Sequence, residues 1–162
     1  MPPIITIVGK SKSGKTTLIE KLIPELKRRG YRVGTLKHAF HRIDIDKKGK
    51  DSWRHKHAGA DMVLLAAESQ IVMVKDDNYA VLDDLEHYFE GMDIVITEGF
   101  KRAPRPKIEV LRTARSSNAI CSGDDHLIAL VTDADIRLDV PSFGMEDISE
   151  LTDFIENRYL RE

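Results

Sequence analysis

The chain has 162 residues, 41% apolar and 32% charged, with a net charge of −2. That length fits one domain able to bury roughly two-thirds of its unfolded surface. The near-neutral balance argues against a general nucleic-acid or membrane-surface binder. The single cysteine, Cys121, leaves no internal disulfide and suits a reducing compartment.

Met1-Pro2-Pro3 leads straight into an apolar run, without the basic region and long apolar core of a signal peptide. No apolar stretch approaches the ~20 residues of a membrane span, so the expected location is the cytoplasm. Ile4–Val8 is a β-branched run that predicts a buried strand. From Lys15 to Arg29, apolar residues at 18, 19, 22, 23 and 26 predict a helix that stops at Gly30 and is kinked by Pro24. Tyr31–Leu36 predicts a second strand. Residues 38–60 are polar, basic and His-rich, and predict a long loop with one helical turn. Met62–Ala66 and Ile71–Val74 predict a hairpin turning at Glu68-Ser69-Gln70.

Leu82–Phe89 predicts a helix, and Ile94-Val95-Ile96 a buried strand that ends at Thr97-Glu98-Gly99. Residues 101–106 are basic and Pro-rich. Strands follow at Ile108–Leu111 and Leu127–Val131, separated by an irregular stretch at 113–125, and Met145–Leu160 closes the chain as an amphipathic helix. Alternating strands and helices predict an α/β fold, P-loop NTPase-like: a mainly parallel sheet flanked by helices. The hairpin around 62–74 is the antiparallel addition. One nucleotide-binding domain is expected over 1–162.

Residues Gly9-Lys10-Ser11-Lys12-Ser13-Gly14-Lys15-Thr16 match the phosphate-binding pattern G-x-x-x-x-G-K-[ST]. The glycines allow backbone N–H groups to point at phosphate oxygens, and the helix opening here adds its positive dipole end. Lys15 reaches the β- and γ-phosphates, and the Thr16 hydroxyl is a Mg²⁺ ligand. Thr17 follows in the first helical turn. The strand–loop–helix setting makes this signal specific. Lys10 is either a lysine reaching across a dimer to the partner's nucleotide or a solvated loop residue.

A P-loop protein needs an acid near the magnesium, at the end of a neighbouring strand. Glu98 stands there, as a metal ligand or a group orienting the attacking water; Asp93 lies at the wrong end of that strand. Asp44, Asp46 and Asp51 fall in the loop after the second strand, where loops act as γ-phosphate switches. Asp44 and Asp46 are the candidates for a second magnesium or water ligand. Lys15, Glu98 and Asp46 are therefore the catalytic candidates, with Thr16, Glu98, Asp44 and Asp46 for the metal. An aspartate after the late strand, Asp133, offers an acceptor for guanine. The usual Asn/Thr-Lys-x-Asp form is absent, so guanine and adenine both stay open on the residues alone.

Four of the six histidines, His38, His41, His55 and His57, fall within twenty residues. His38-x-x-His41 reads as half of a metal site; the cluster otherwise reads as part of a basic phosphate-binding loop with Lys37, Arg42, Lys47, Lys48, Lys50, Arg54 and Lys56, or as a solvated loop. Two rival functions follow. One is a small-molecule kinase with Lys101, Arg102, Arg105 and Lys107 as lid cations. The other is a metal-delivery GTPase using His38 and His41.

Several segments together resemble one family. They are Gly9–Thr16, Thr35-Leu36-Lys37-His38-Ala39-Phe40-His41, Asp44-Ile45-Asp46, Gly49-Lys50-Asp51-Ser52, Ala58-Gly59-Ala60, Thr97-Glu98-Gly99-Phe100-Lys101 and Pro106-Lys107-Ile108-Glu109-Val110. The chain resembles the molybdopterin-guanine dinucleotide biosynthesis protein B family over residues 4 to about 135. The resemblance implies a dimeric GTP-binding protein with Mg²⁺ and weak GTPase activity. Its partners would be molybdopterin, or its guanine dinucleotide, and the nucleotidyltransferase that attaches GMP. It also implies that His38, Asp44, Asp46, Lys50 and Asp51 face the nucleotide or pterin.

Overall fold

The computed structural model describes residues 1–39, 46–77, 81–116 and 118–161. Two compact units divide the chain: Met1–His38 together with Val81–Glu162, and Ala39–Ala80.

The first unit is built on a six-stranded parallel sheet. β1 (Ile4–Val8), β2 (Val33–Lys37), β5 (Ile94–Glu98), β6 (Lys107–Leu111), β7 (Leu127–Thr132) and β8 (Ser142–Phe143) stand in the order β2-β5-β1-β6-β7-β8. The five residues of β1 are all buried because both faces of the sheet are covered. Ile5 and Ile7 meet Leu18, Leu22 and Leu26 of α1 (Lys15–Arg28) and Leu151 and Ile155 of α3 (Ile148–Ile155). On the other face, Ile4 packs with Leu82 and Val95, and Val8 with Cys121 and Leu127.

α1 runs without interruption through Pro24, whose own position is exposed. The segment Leu82–Phe89 is a 3₁₀ helix, its start fixed by the Asp84 carboxylate accepting from the Val81 N–H at 3.1 Å. The closing helix begins at Ile148, three residues later than its periodicity predicts. Gly144 and Asp147 form a turn instead, with Asp147 Oδ2 accepting from the Gly144 N–H at 2.7 Å. The helix then widens into a π turn over Glu156–Leu160. β8, only two residues long, has no period to reveal it.

Two charged residues of β6 lie inside the protein. Lys107 is 2% exposed and pairs with Asp124 Oδ2 at 2.9 Å. The Glu109 carboxylate accepts from the Ile120 and Cys121 N–H groups at 2.7 and 2.9 Å. The irregular 113–125 stretch is thus anchored by buried charges, each matched by a partner. Burial, reinforced by Glu109 and Asp124, pushes the Cys121 thiol up to about 11.

The second unit holds α2 (Asp51–His57) and a hairpin of β3 (Met62–Ala67) and β4 (Gln70–Lys75). Register Ala67↔Gln70 leaves a two-residue turn, Glu68-Ser69, so Gln70 belongs to the strand rather than the turn. The hairpin is a separate two-stranded sheet. Lys56 braces its base, donating to Ala60 O at 2.6 Å and Asp76 Oδ2 at 2.5 Å. Met62, Leu64, Leu65, Ile71 and Met73 are all exposed, Ile71 by 68%.

Candidate functional site

The carboxyl end of β1 opens into the Gly9–Thr16 loop. Gly9, Lys12 and Gly14 have φ of 147°, 60° and 101°, and the Ser13 N–H donates to Lys10 O at 3.2 Å. Positive φ at intervals turns successive N–H groups to one side and makes a concave anion cradle. Gly9 admits no side chain. A Cβ there would lie 2.4 Å from the Val110 carbonyl oxygen and 2.7 Å from Ser13 Oγ. Ser13 is itself buried, its hydroxyl without a hydrogen-bond partner among the described residues. Ser11, Lys12 and Thr17 are exposed around this ring.

Lys15 folds over the loop, its Nζ donating to Gly9 O at 3.1 Å and Lys10 O at 2.8 Å. Burial lowers its pKa below the ordinary lysine value; nearby Glu98 opposes that shift and Lys37 adds to it. Thr16 Oγ1 donates to Glu98 Oε2 at 3.0 Å, and Lys37 Nζ lies 3.6 Å from the same oxygen. The parallel pairing of β1 with β5 brings Glu98 alongside Ile7, one residue before the loop's approach. Thr16, Glu98 and Lys15, separated by up to 83 positions in sequence, thus come together at the carboxyl ends of β1 and β5. A hydroxyl and a carboxylate in contact, beside a lysine and a backbone cradle, are the donor set that a magnesium nucleotide requires.

Glu98 leads into a tight corner. Gly99 has φ 104°, and a Cβ there would come 3.0 Å from the His38 Cβ. His38 donates its N–H to Glu98 O at 3.0 Å, and its ring lies 4.8 Å from the Phe100 ring. His38 is therefore packed against the strand that carries Glu98.

Lys10 donates from Nζ to Ser116 Oγ at 2.6 Å, a contact within the chain that sequence reading did not anticipate. Asp133 lies at the carboxyl end of β7. Its Oδ1 accepts from the Thr113 N–H at 2.7 Å and the Thr113 hydroxyl at 3.2 Å, and the first of these holds its carboxyl below the ordinary aspartate value. Arg112, also unanticipated, lies beside Gly14. Only pairing across the fold reveals these neighbours.

Asp46, Lys50 and Asp51 belong to the second unit, Lys50 and Asp51 at the exposed start of α2. Asp44 and His41 lie outside the described residues. His55 and His57 are on α2, where the His57 ring stacks on Trp53 at 4.5 Å. Among the described residues, no three His, Cys, Asp or Glu side chains cluster as metal ligands. Two of the proposed kinase lid cations are committed to the fold: Lys107 is buried on Asp124, and Arg105 pairs with Asp83 at 2.7 Å and with Glu86. Among the described residues, no helix is long and apolar enough to cross a membrane.

The family profile of MobB, described as molybdopterin guanine dinucleotide synthesis protein B, matches residues 4–133. The molybdopterin-guanine dinucleotide biosynthesis adapter protein of Haemophilus influenzae is 40% identical over 158 residues, 96% of this chain and 88% of that protein. The protein of the same description from Escherichia coli is 34% identical over 96% of this chain and 92% of its own length. The crystal structure of Bacillus subtilis MobB superposes with a TM-score of 0.77 at 27% identity, covering 99% of both chains. The parallel sheet, the phosphate loop at β1 and the extent of these matches agree: the chain belongs to the MobB family.

Proposed function

We propose that this chain binds GTP with Mg²⁺ on the Gly9–Thr16 loop, hydrolyses it slowly, and serves as adapter to the nucleotidyltransferase that attaches GMP to molybdopterin. The observation that carries the nucleotide half is the contact of Thr16 with Glu98 beside Lys15 and the glycine cradle. Thr16 and Glu98 are the residues that would hold the ion, which when bound neutralises phosphate charge. Lys15 supplies the charge at the β- and γ-phosphates. Glu98 is also positioned to orient a water near the terminal phosphate, at the ligand end of the sheet.

Guanine is the proposed base. Asp133 is the residue proposed to accept from it; its engagement of Thr113 uses Oδ1. Asp44, Asp46, His38, Lys50 and Asp51 are proposed to face the terminal phosphate or the pterin phosphate. The adapter half draws on the role for which the Haemophilus influenzae and Escherichia coli relatives are named. A homodimer and a cytoplasmic location complete the proposal, and the exposed apolar hairpin supports the dimer.

The test is thermal unfolding with GTP, GDP, ATP or no nucleotide, each with and without Mg²⁺. GTP at 100 times its Kd adds about 2.7 kcal/mol, a rise of roughly 5–10 °C for a domain of this size. A magnesium-dependent shift with GTP and little with ATP is expected. An ATP-selective shift would replace this reading with the kinase one.

A further inference from the structure

The sheet changes direction beside β1. From β1 the chain crosses to β2 on one side, and from β6 it proceeds to β7 and β8 on the other. In open α/β sheets the ligand crevice lies at the carboxyl ends of the strands flanking such a reversal. Here those ends are Val8, which opens the phosphate loop, and Leu111, followed at once by Arg112.

Arg112 reaches the loop. A Cβ built on Gly14 would lie 3.9 Å from Arg112 Nε and 3.4 Å from Met145 Cε. A guanidinium and a thioether therefore frame the left-handed residue that starts α1. The backbone that follows is held in place: the N–H groups of Arg115 and Ser116 both donate to Arg112 O at 2.9 Å, and Ser116 in turn receives Lys10. Among the described residues the Arg112 guanidinium has no hydrogen bond or ion pair of its own, and the side chain is exposed.

Position decides which part of a nucleotide it would meet. Thr16 and Glu98 mark the metal and terminal-phosphate side, on the β5 flank of β1. Arg112 stands on the opposite flank, at β6. On the reading of Gly9–Thr16 as a triphosphate site, the nucleoside leaves the loop on the β6 side. A planar cation and a thioether methyl, both close to Gly14, suit the face of a purine ring there, because a guanidinium stacks flat on an aromatic ring and the compact ammonium of a lysine does not.

We propose that Arg112, backed by Met145, stacks on the purine of the bound nucleotide and is a nucleoside-binding residue of this chain. It deepens the nucleotide reading given above and rests on it.

The test measures binding of GTP, GDP and inorganic tripolyphosphate, with Mg²⁺, by calorimetry on the intact protein, for the unsubstituted chain, Arg112→Ala and Arg112→Lys. Thermal unfolding without ligand checks that the variants fold. Arg112→Ala is expected to weaken GTP and GDP alike by about tenfold while tripolyphosphate binds as before. Arg112→Lys, which keeps the charge and loses the plane, is expected to show most of the same loss. Unchanged GTP and GDP affinity in both variants would overturn the proposal. So would an equal loss for all three ligands, or full rescue by lysine, either of which makes Arg112 a phosphate-side charge. If the unsubstituted protein binds neither GTP nor tripolyphosphate, the phosphate-loop reading itself fails and this proposal falls with it.

Discussion

The main-sheet unit and the hairpin unit treat the same kinds of residue in opposite ways. In the first, aliphatic strands are sealed on both faces: Ile5, Ile7, Ile94 and Ile108 are 0% exposed. In the second, equally apolar strands remain open. Register Leu64↔Met73 and Ala66↔Ile71 places Leu64, Ile71 and Met73 on one face, all of them exposed. An isolated two-stranded hairpin is marginal in water, and an exposed apolar face of this kind marks a binding surface. Hydrophobicity in the first unit therefore reports folding, whereas in the second it stays exposed and open to a partner. The proposed second copy of the chain is such a partner.

The largest expected effect tests that contrast directly. Leu22→Ala empties a site that is 0% exposed and should destabilise by ~3 kcal/mol, read from chemical denaturation. Leu64→Ala should cost below ~0.5 kcal/mol at high dilution, as surface changes do. If the hairpin is buried between two copies, the cost of Leu64→Ala should grow with protein concentration, and sedimentation should show a weakened dimer. A cost for Leu64→Ala of Leu22 size, independent of concentration, would mean that the contrast between the units is false.

The phosphate loop sharpens the same comparison, since its effects should appear in ligand binding and leave the apoprotein's stability almost unmoved. Lys15→Ala should weaken GTP by about 100-fold. Glu98→Gln should retain nucleotide binding and lower hydrolysis, because it keeps the shape while removing the charge beside Thr16. Undiminished affinity in the first variant would remove the loop from the site, and undiminished turnover in the second would remove Glu98 from the chemistry.

The two regions also differed in how far the sequence could be read. The strand–loop–helix from Ile4 to Arg28 and the acid at Glu98 were legible because their signals are local: aliphatic runs, glycines at fixed spacing, a carboxylate ending a strand. The neighbours of those residues were not. Ser116 beneath Lys10, Arg112 beside Gly14 and Thr113 on Asp133 depend on which strands become adjacent, and no periodicity encodes that order. Lys107 read as a lid cation ahead of the strand and Glu109 as a polar position within it, yet both are buried, because Asp124 and the Ile120 and Cys121 amides come from a stretch with no regular structure. The hairpin was legible as a hairpin. That β3 and β4 form a sheet of their own among the described residues was not, since alternation in a strand does not name its partner.

The smallest effect concerns how the closing helix is tied down in the main-sheet unit. Arg29 is the hub: it reaches Glu25 at 2.8 Å, Asp153 at 2.5 Å and Glu156 at 2.8 Å, and Tyr31 donates its hydroxyl to Glu156 at 2.7 Å. Hydrogen bonds from Arg28 and then Arg29 bring the Glu25 carboxyl down to about 2. Its folded pKa is thus depressed below the ordinary glutamate value of about 4.3. A depressed carboxylate contributes stability that is fully present above the unfolded pKa and is lost as pH falls through the folded one. The window is therefore from about pH 4.3 down to about 2. Glu25→Gln removes the titrating group, so its melting temperature should sit below that of the unsubstituted chain at neutral pH, by less than Leu22→Ala lowers it. The gap should narrow across that window and close near its lower end. The apolar hairpin offers no comparable titration: Leu64→Ala should show the same offset at every pH where the protein is folded. A Glu25→Gln offset that stayed constant with pH would mean that Arg28 and Arg29 hold Glu25 no more tightly than solvent does.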